Sequence, residues 1–398
     1  MLTAAAVRER GHEMLSLAED GILADWRLDL SRLEPAADLV AQVTRERFPS
    51  LQVPFHARWR HFVLQDRDLW AETAARTDWP DPAEPARAAF DLAIVSVLLD
   101  AGAGMAWRYR DPETGAICAR SEGLAVASLR MFEAGAFSDM PYALRADALS
   151  AVTPQALAAG FQISADNPLV GVEGRAALLR RLGDQTRARP DLFALRGDPR
   201  PGGLYDLLVR RSVEGRLPAT AILEALLEAL GPIWPNRLSL KGVPLGDTWR
   251  HPALRRADET DELVPLHKLS QWLAYSLIEP LEAAGITVTD IDGLTGLAEY
   301  RNGGLFVDMG VLTPTDPADL ARRHEVSEPF IVAWRAMTVA LLDRIAPMVR
   351  ERLGVTAEAF PLARVLEGGA WAAGRRLAAE ARADGGPPLA IASDGAVF

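Results

Sequence analysis

The spacing of apolar residues constrains this chain more than anything else in it, because it follows the helical period almost throughout. Apolar positions recur three and four apart over 3–19, 36–46, 86–101, 121–134, 171–182, 203–214, 219–230, 265–284, 328–353 and 363–383. Proline and glycine punctuate these segments at Pro80-Asp81-Pro82, at Pro199-Arg200-Pro201-Gly202-Gly203, and from Gly231-Pro232 to Pro235. Strand patterns are few. Ala106–Arg110 and Ala116–Ala119 flank the turn-rich Asp111-Pro112-Glu113-Thr114-Gly115 and predict a β-hairpin. Ile286–Thr289 alternates like a short strand, and the tail from Leu389 to Phe398 predicts another pair. The expected fold is mainly α: a single large helical domain over 1–398 with small β-hairpin decorations. Its one candidate break is the Pro/Gly-rich stretch near 184–203.

A chain of 398 residues, 49% hydrophobic and 24% charged, can bury a large core without covalent staples. Its one cysteine, Cys118, excludes an intrachain disulfide and any multi-cysteine zinc or iron–sulfur site. No run of eighteen apolar residues occurs, so no membrane partner is expected. The opening MLTAAAVRERGHEML mixes charges into its apolar residues, unlike a secretory signal, and the expected location is the cytoplasm. A net charge of −11 argues against nucleic acid as a partner, since polyanion binding rests on a cationic face.

The basic residues carry a sharper signal. Of 43, only Lys241 and Lys268 are lysine, and the rest are arginine. A lysine retained in such a chain points to what arginine does not offer, a compact ammonium or a tunable pKa. Lys268 lies in Glu262-Leu263-Val264-Pro265-Leu266-His267-Lys268-Leu269-Ser270-Gln271-Trp272, where Pro265 predicts the first turn of a helix. Lys268, Gln271, Trp272 and Tyr275 then share a stripe that reads either as a pocket wall or as a solvated face.

No dinucleotide-binding, P-loop, zinc-protease or serine-hydrolase fingerprint is present. The six histidines include no pair four apart, so neither a metal nor a cofactor is expected. In 293–305 four glycines surround Glu299-Tyr300-Arg301-Asn302, which reads as a ligand-binding loop or as a turn with a structural ion pair. The 246–252 segment gathers Asp247, Trp249, Arg250 and His251 and reads as an anion loop or a capping turn. Around the hairpin, Trp107, Arg108, Arg120 and Glu122 carry the same ambiguity, and Glu367 with Trp371 is a weaker candidate.

These strings resemble a known family. FDLAIVSVLLDAGAGMAWRYRD, RSEGLAVASLRMFEAGAFS, NPLVGVEGRAALLRRLG, GDTWRHPA, PLHKLSQWLAYSLIEPL, GLTGLAEYRNGGLFVDMGVL, WRAMTVALLD and LEGGAWAAGR are similar, in order, to the fourth of the fungal and bacterial uracil-catabolism proteins. That resemblance implies a role in a uracil-degradation route passing through a ribosylated pyrimidine to urea. A more distant likeness is to the queuosine-nucleotide salvage enzymes, helical N-glycosidases related in shape to DNA glycosylases. Their Leu-His-Lys-Arg-Ala-Gln helix resembles Leu266-His267-Lys268-Leu269-Ser270-Gln271, and their Ala-Asp-Tyr-Arg resembles Ala298-Glu299-Tyr300-Arg301. Phe90-Asp91 and Trp334-Arg335-Ala336 match two further segments. This likeness implies a fold that is DNA-glycosylase-like in part. It also implies Glu299 as catalytic carboxylate, one methylene longer than the aspartate it replaces, with Lys268 as its partner.

The leading expectation is therefore a metal-independent N-ribosyl hydrolase acting on a small phosphorylated riboside, such as a ribosylurea phosphate. Asp91, Trp107, Arg108, Arg120, Glu122, Trp249, Arg250, His251, His267, Gln271, Trp272, Tyr300, Arg301 and Asn302 are its candidate binding residues. Two other readings stand beside it: a non-catalytic nucleotide-binding or scaffold protein, and a metal-dependent ureide amidohydrolase.

Overall fold

The computed structural model describes residues 1–100, 102–138, 140–235 and 237–392. Helix makes up 54% of it and strand 10%. The described strands pair only two by two, so none builds a layer and the cores are helix on helix. The mainly α expectation holds. Two compact units share the chain, each assembled from separated stretches.

The first unit comprises Met1–His56, Arg237–Gln271 and Asp290–Ala392. Its centre is the helix Pro329–Leu353, where Ile331, Trp334, Met337, Leu341, Leu342 and Ile345 are all buried. Apolar residues on most sides require partners on most sides. The helix Ala4–Glu19, N-capped by the Thr3 hydroxyl, packs against it at Gly11, where a Cβ would stand 2.9 Å from the Ala336 carbonyl oxygen. The helix Leu33–Arg47 packs on the same long helix. Strand pairs complete the unit: Trp26–Leu28 with Leu312–Pro314 and Thr248–Arg250 with Leu263–Pro265, both antiparallel. Arg323–Glu325 runs parallel to Ala390–Ala392. The tail strand is thus present at Ala390–Ala392, and residues 393–398 lie outside the described residues.

The second unit comprises the described residues of Ala57–Asn236 and Trp272–Thr289. The helix Glu84–Leu98 is buried on nearly every face and lies along Arg120–Glu133, joined by a 2.6 Å contact between the Ser96 and Ser128 hydroxyls. The expected hairpin forms between Tyr109–Arg110 and Ile117–Cys118, and Thr287–Thr289 pairs in parallel with the distant Arg216–Pro218. The 184–203 stretch lies inside this unit. Gly202 and Gly203 serve packing there: a Cβ at Gly202 would stand 2.3 Å from the Arg87 carbonyl oxygen, and one at Gly203 2.1 Å from that of Phe193.

Three local departures from the expected elements shape the site. Pro265 ends a strand, and the helix begins only at Lys268, after His267 takes a left-handed φ of 45°. The 293–305 segment is a loop only as far as Glu299, and Tyr300–Asp308 is a helix. Gly303 sits within that helix because a Cβ would meet the Trp334 ring at 2.7 Å. The 363–383 helix is broken by a π-helical turn at Leu366–Ala370, followed by the helix Trp371–Ala381.

Candidate active site

Glu299 closes an extended stretch and caps the helix Tyr300–Asp308. Its carboxylate accepts the backbone N–H of Arg301 at 2.7 Å and of Asn302 at 2.5 Å. Both oxygens therefore face the positive end of the helix dipole. The side chain is buried, and burial pushes its pKa above the ordinary carboxylate range. The Lys268 charge opposes that push first, the two N–H groups next, and then His56.

Lys268 opens the helix Lys268–Ala283, and its own N–H donates to Asp247 Oδ2 at 3.0 Å. A cation at a helix N-terminus meets the unfavourable end of the dipole, so this placement needs carboxylates to offset it. Asp247 and Glu299 supply them. Asp247 also receives the Arg335 guanidinium on both oxygens, at 2.9 and 2.8 Å, and the Trp249 indole N–H at 2.6 Å. Burial alone would raise its pKa, but Arg335 holds it far below the ordinary carboxylate range. Arg335 Nε donates at 3.1 Å to the carbonyl of Ala298. One guanidinium thus ties the residue before Glu299 to the carboxylate that caps the Lys268 helix.

Gln271 and Asn302 flank this pair in sequence. Gln271 Oε1 accepts the Thr295 N–H at 3.3 Å, and Asn302 Nδ2 donates to the Leu297 carbonyl at 3.3 Å. Their other polar atoms, Gln271 Nε2 and Asn302 Oδ1, are buried without a hydrogen-bond partner. Arg301 donates to the Gly385 carbonyl at 2.9 Å and lies over the Tyr300 ring. Trp249 carries the Arg237 guanidinium 4.8 Å above its ring. Arg250 is exposed and reaches the Asp261 carbonyl at 3.1 Å. His251 Nδ1 accepts the Ala253 N–H within its own turn, and His267 Nε2 donates to the Met1 carbonyl at 2.9 Å. Burial lowers the pKa of both histidines.

The remaining expected binding residues belong to the second unit. Asp91 accepts from Arg200 Nε at 2.8 Å and from the N–H groups of Leu144 and Gly202, tying three segments together. Trp107 is fully buried beside Tyr109 and Phe161, with its indole N–H on the Phe161 carbonyl at 3.0 Å. Arg108 is exposed and donates to the carbonyls of Met105 and Trp107, while Arg120 reaches the Met105 sulfur. Glu122 and Trp272 both face Arg58: the ring lies 5.6 Å from its guanidinium, and Glu122 favours its charged form.

Sequence reasoning named Asp247, Arg335 and Glu367 without pairing them and gave His56 no role; the structure makes prominent the ion pair of Asp247 with Arg335, just described, and the contact of His56 with Glu367. His56 Nδ1 meets Glu367 Oε2 at 2.8 Å. The signal that was available is the Gly368-Gly369 pair inside a helical pattern, which marks a break in the helix at Glu367. Among the described residues no three His, Cys, Asp or Glu are grouped to hold a metal ion. An open groove of about 520 Å³ beside Arg27, Arg32 and Asp308 contains none of the site residues. No helix among the described residues is long and apolar enough to cross a membrane.

A helical core that buries a carboxylate on a helix N-terminus, with a lysine set against it, defines the class: a mainly α protein with a buried Glu–Lys centre. A family model described as "Protein of unknown function (DUF1688)" matches residues 1–398, and the chain belongs to that family. It is 40% identical over 409 residues to Protein urg3 of Schizosaccharomyces pombe, covering 100% of this chain and 98% of that protein. It is 36% identical over 436 residues to Uracil catabolism protein 4 of Lachancea kluyveri, covering 99% and 97% respectively. These matches bear out the family resemblance and carry nothing on the likeness to queuosine-nucleotide enzymes.

Proposed function

We propose that this protein acts in uracil catabolism and hydrolyses the N-ribosyl bond of a small phosphorylated riboside, with a ribosylurea phosphate as its substrate. The pathway follows from the printed name of the Lachancea relative. The reaction rests on one observation, the buried Glu299 carboxylate held by two backbone N–H groups with the Lys268 charge beside it.

Breaking a ribosyl C1′–N bond builds positive charge on the sugar. A fixed, desolvated carboxylate stabilises that charge far better than water does. Lys268 opposes the burial that favours the protonated carboxyl, and so favours its ionised form. The partnerless Gln271 Nε2 donor and Asn302 Oδ1 acceptor suit a ureido group, which has both a carbonyl and N–H groups to offer. An unmade buried hydrogen bond costs about 1–3 kcal/mol, so a ligand completing both gains affinity and selectivity.

Urea release from ribosylurea 5′-phosphate by chelator-treated protein tests the reading. Wild type releases urea, and Glu299→Gln lowers the rate by about 10²–10³-fold, the usual loss for one charge-stabilising group. Release that depends on a metal, or that survives Glu299→Gln, contradicts it.

A further inference from the structure

Glu367 lies on the π-helical turn Leu366–Ala370, and it is the packing of that turn that aims it. A Cβ at Gly369 would stand 2.2 Å from the Val40 carbonyl oxygen, and one at Gly368 3.0 Å from Thr44 Cγ2. Only glycine lets the turn lie this close to the helix Leu33–Arg47. A π turn leaves carbonyls without their helical donors, and Arg47 meets them: its guanidinium binds the carbonyls of Glu367 and Gly368, and its Nη2 reaches Glu367 Oε1 at 3.1 Å. Such turns are frequent at functional sites.

What the turn aims at is His56. The Glu367 carboxylate meets Nδ1 at 2.8 Å, which sets the proton on Nδ1 and makes Nε2 the nitrogen that exchanges protons with a substrate. The His56 N–H donates to the Ala363 carbonyl at 3.0 Å, and its ring centroid lies 6.4 Å from that of Trp371. The imidazole is therefore held by Glu367 at Nδ1 and flanked by Trp371, on a backbone tied to Ala363. It is also near enough to Glu299 for its charge to favour the ionised carboxylate. A carboxylate-oriented histidine beside a second, charge-stabilising carboxylate separates two catalytic roles.

We infer that His56 is the proton donor to the leaving nitrogen and that Glu367 is its positioning residue, an assignment that rests on the N-ribosyl hydrolase reading. The C1′–N bond breaks with its electron pair going to the ureido nitrogen, which takes the proton from His56 Nε2. The oxygen of water bonds to C1′, and the proton that water loses returns to the imidazole. Urea and the pentose phosphate leave, and His56 ends as it began.

Leaving-group dependence tests this. Ribosylurea 5′-phosphate needs a proton on its leaving nitrogen, whereas p-nitrophenyl β-riboside 5-phosphate leaves as a stable phenolate. Both are assayed with wild type, Glu299→Gln, His56→Gln and the near-isosteric Glu367→Gln, each checked for folding by circular dichroism. His56→Gln lowers urea release by about 10²–10⁴-fold, with a loss on the nitrophenyl riboside at least about tenfold smaller. Glu367→Gln shows the same split at smaller amplitude, and it carries the test if His56→Gln does not fold. Glu299→Gln lowers both reactions alike. Equal losses on the two substrates for both dyad variants make the dyad structural and overturn the assignment while leaving the ribosyl-hydrolase reading intact. Cleavage of neither substrate by wild type overturns that reading, and this assignment with it.

Discussion

At the scale of single residues, the site depends on a lysine in an electrostatically awkward place. Lys268→Arg puts a larger, flatter cation at the helix start and is expected to lower turnover by about 10–10²-fold, measured as kcat on ribosylurea 5′-phosphate with the fold intact. Asp247→Asn leaves the buried Arg335 without its charge partner and is expected to cost about 3–5 kcal/mol by urea denaturation. The pH dependence has a definite sign. Because the folded-state pKa of Asp247 lies below the ordinary carboxylate value of about 4, its stabilisation is present above that pH and is lost on further acidification. Wild-type stability therefore falls faster below pH 4 than that of Asp247→Asn. Lys268 was legible because lysine is so scarce in this chain, and Glu299 through resemblance. Asp247 and Arg335 were named from the sequence, but their pairing was not legible, nor was that of His56 with Glu367, because these contacts join positions far apart in sequence and no local pattern records them.

At the scale of elements, the helical period located the long helices to within a few residues, since burial of one face is what both the pattern and the fold express. It misread the places where glycine serves close packing. Gly303 and Gly304 looked like loop residues, yet they lie in the helix that Glu299 caps. The continuous pattern over 363–383 concealed a π turn, because a single extra residue barely disturbs the period. Gly374→Ala tests the packing account directly. Its Cβ would stand 2.1 Å from the Arg301 carbonyl oxygen, so the helices Tyr300–Asp308 and Trp371–Ala381 would have to separate. Overpacking of this kind costs about 1–3 kcal/mol, which scanning calorimetry would register as a melting temperature several degrees lower. An unchanged midpoint would mean that the backbone accommodates the methyl group and that the contact is not restrictive.

At the scale of the whole molecule, each unit is assembled from stretches far apart in the chain. The first unit needs both ends, because the helix Ala4–Glu19 packs on Pro329–Leu353. Fragments 1–190 and 191–398 are therefore each expected to remain unfolded when expressed alone, judged by circular dichroism and protease resistance. A stably folded fragment would contradict the interleaved organisation. Glu299, Lys268, Asp247, Arg335, His56 and Glu367 all fall in the first unit, so the proposed chemistry is concentrated in one core. The central claim is that this core breaks a ribosyl–nitrogen bond through a buried carboxylate. Its most direct test is product analysis of chelator-treated protein with ribosylurea and its 5′-phosphate, wild type and Glu299→Gln side by side. Urea and a pentose phosphate released by wild type, with the variant slower by about 10²–10³-fold, is the predicted result. No urea from wild type, or equal release by both proteins, would contradict it.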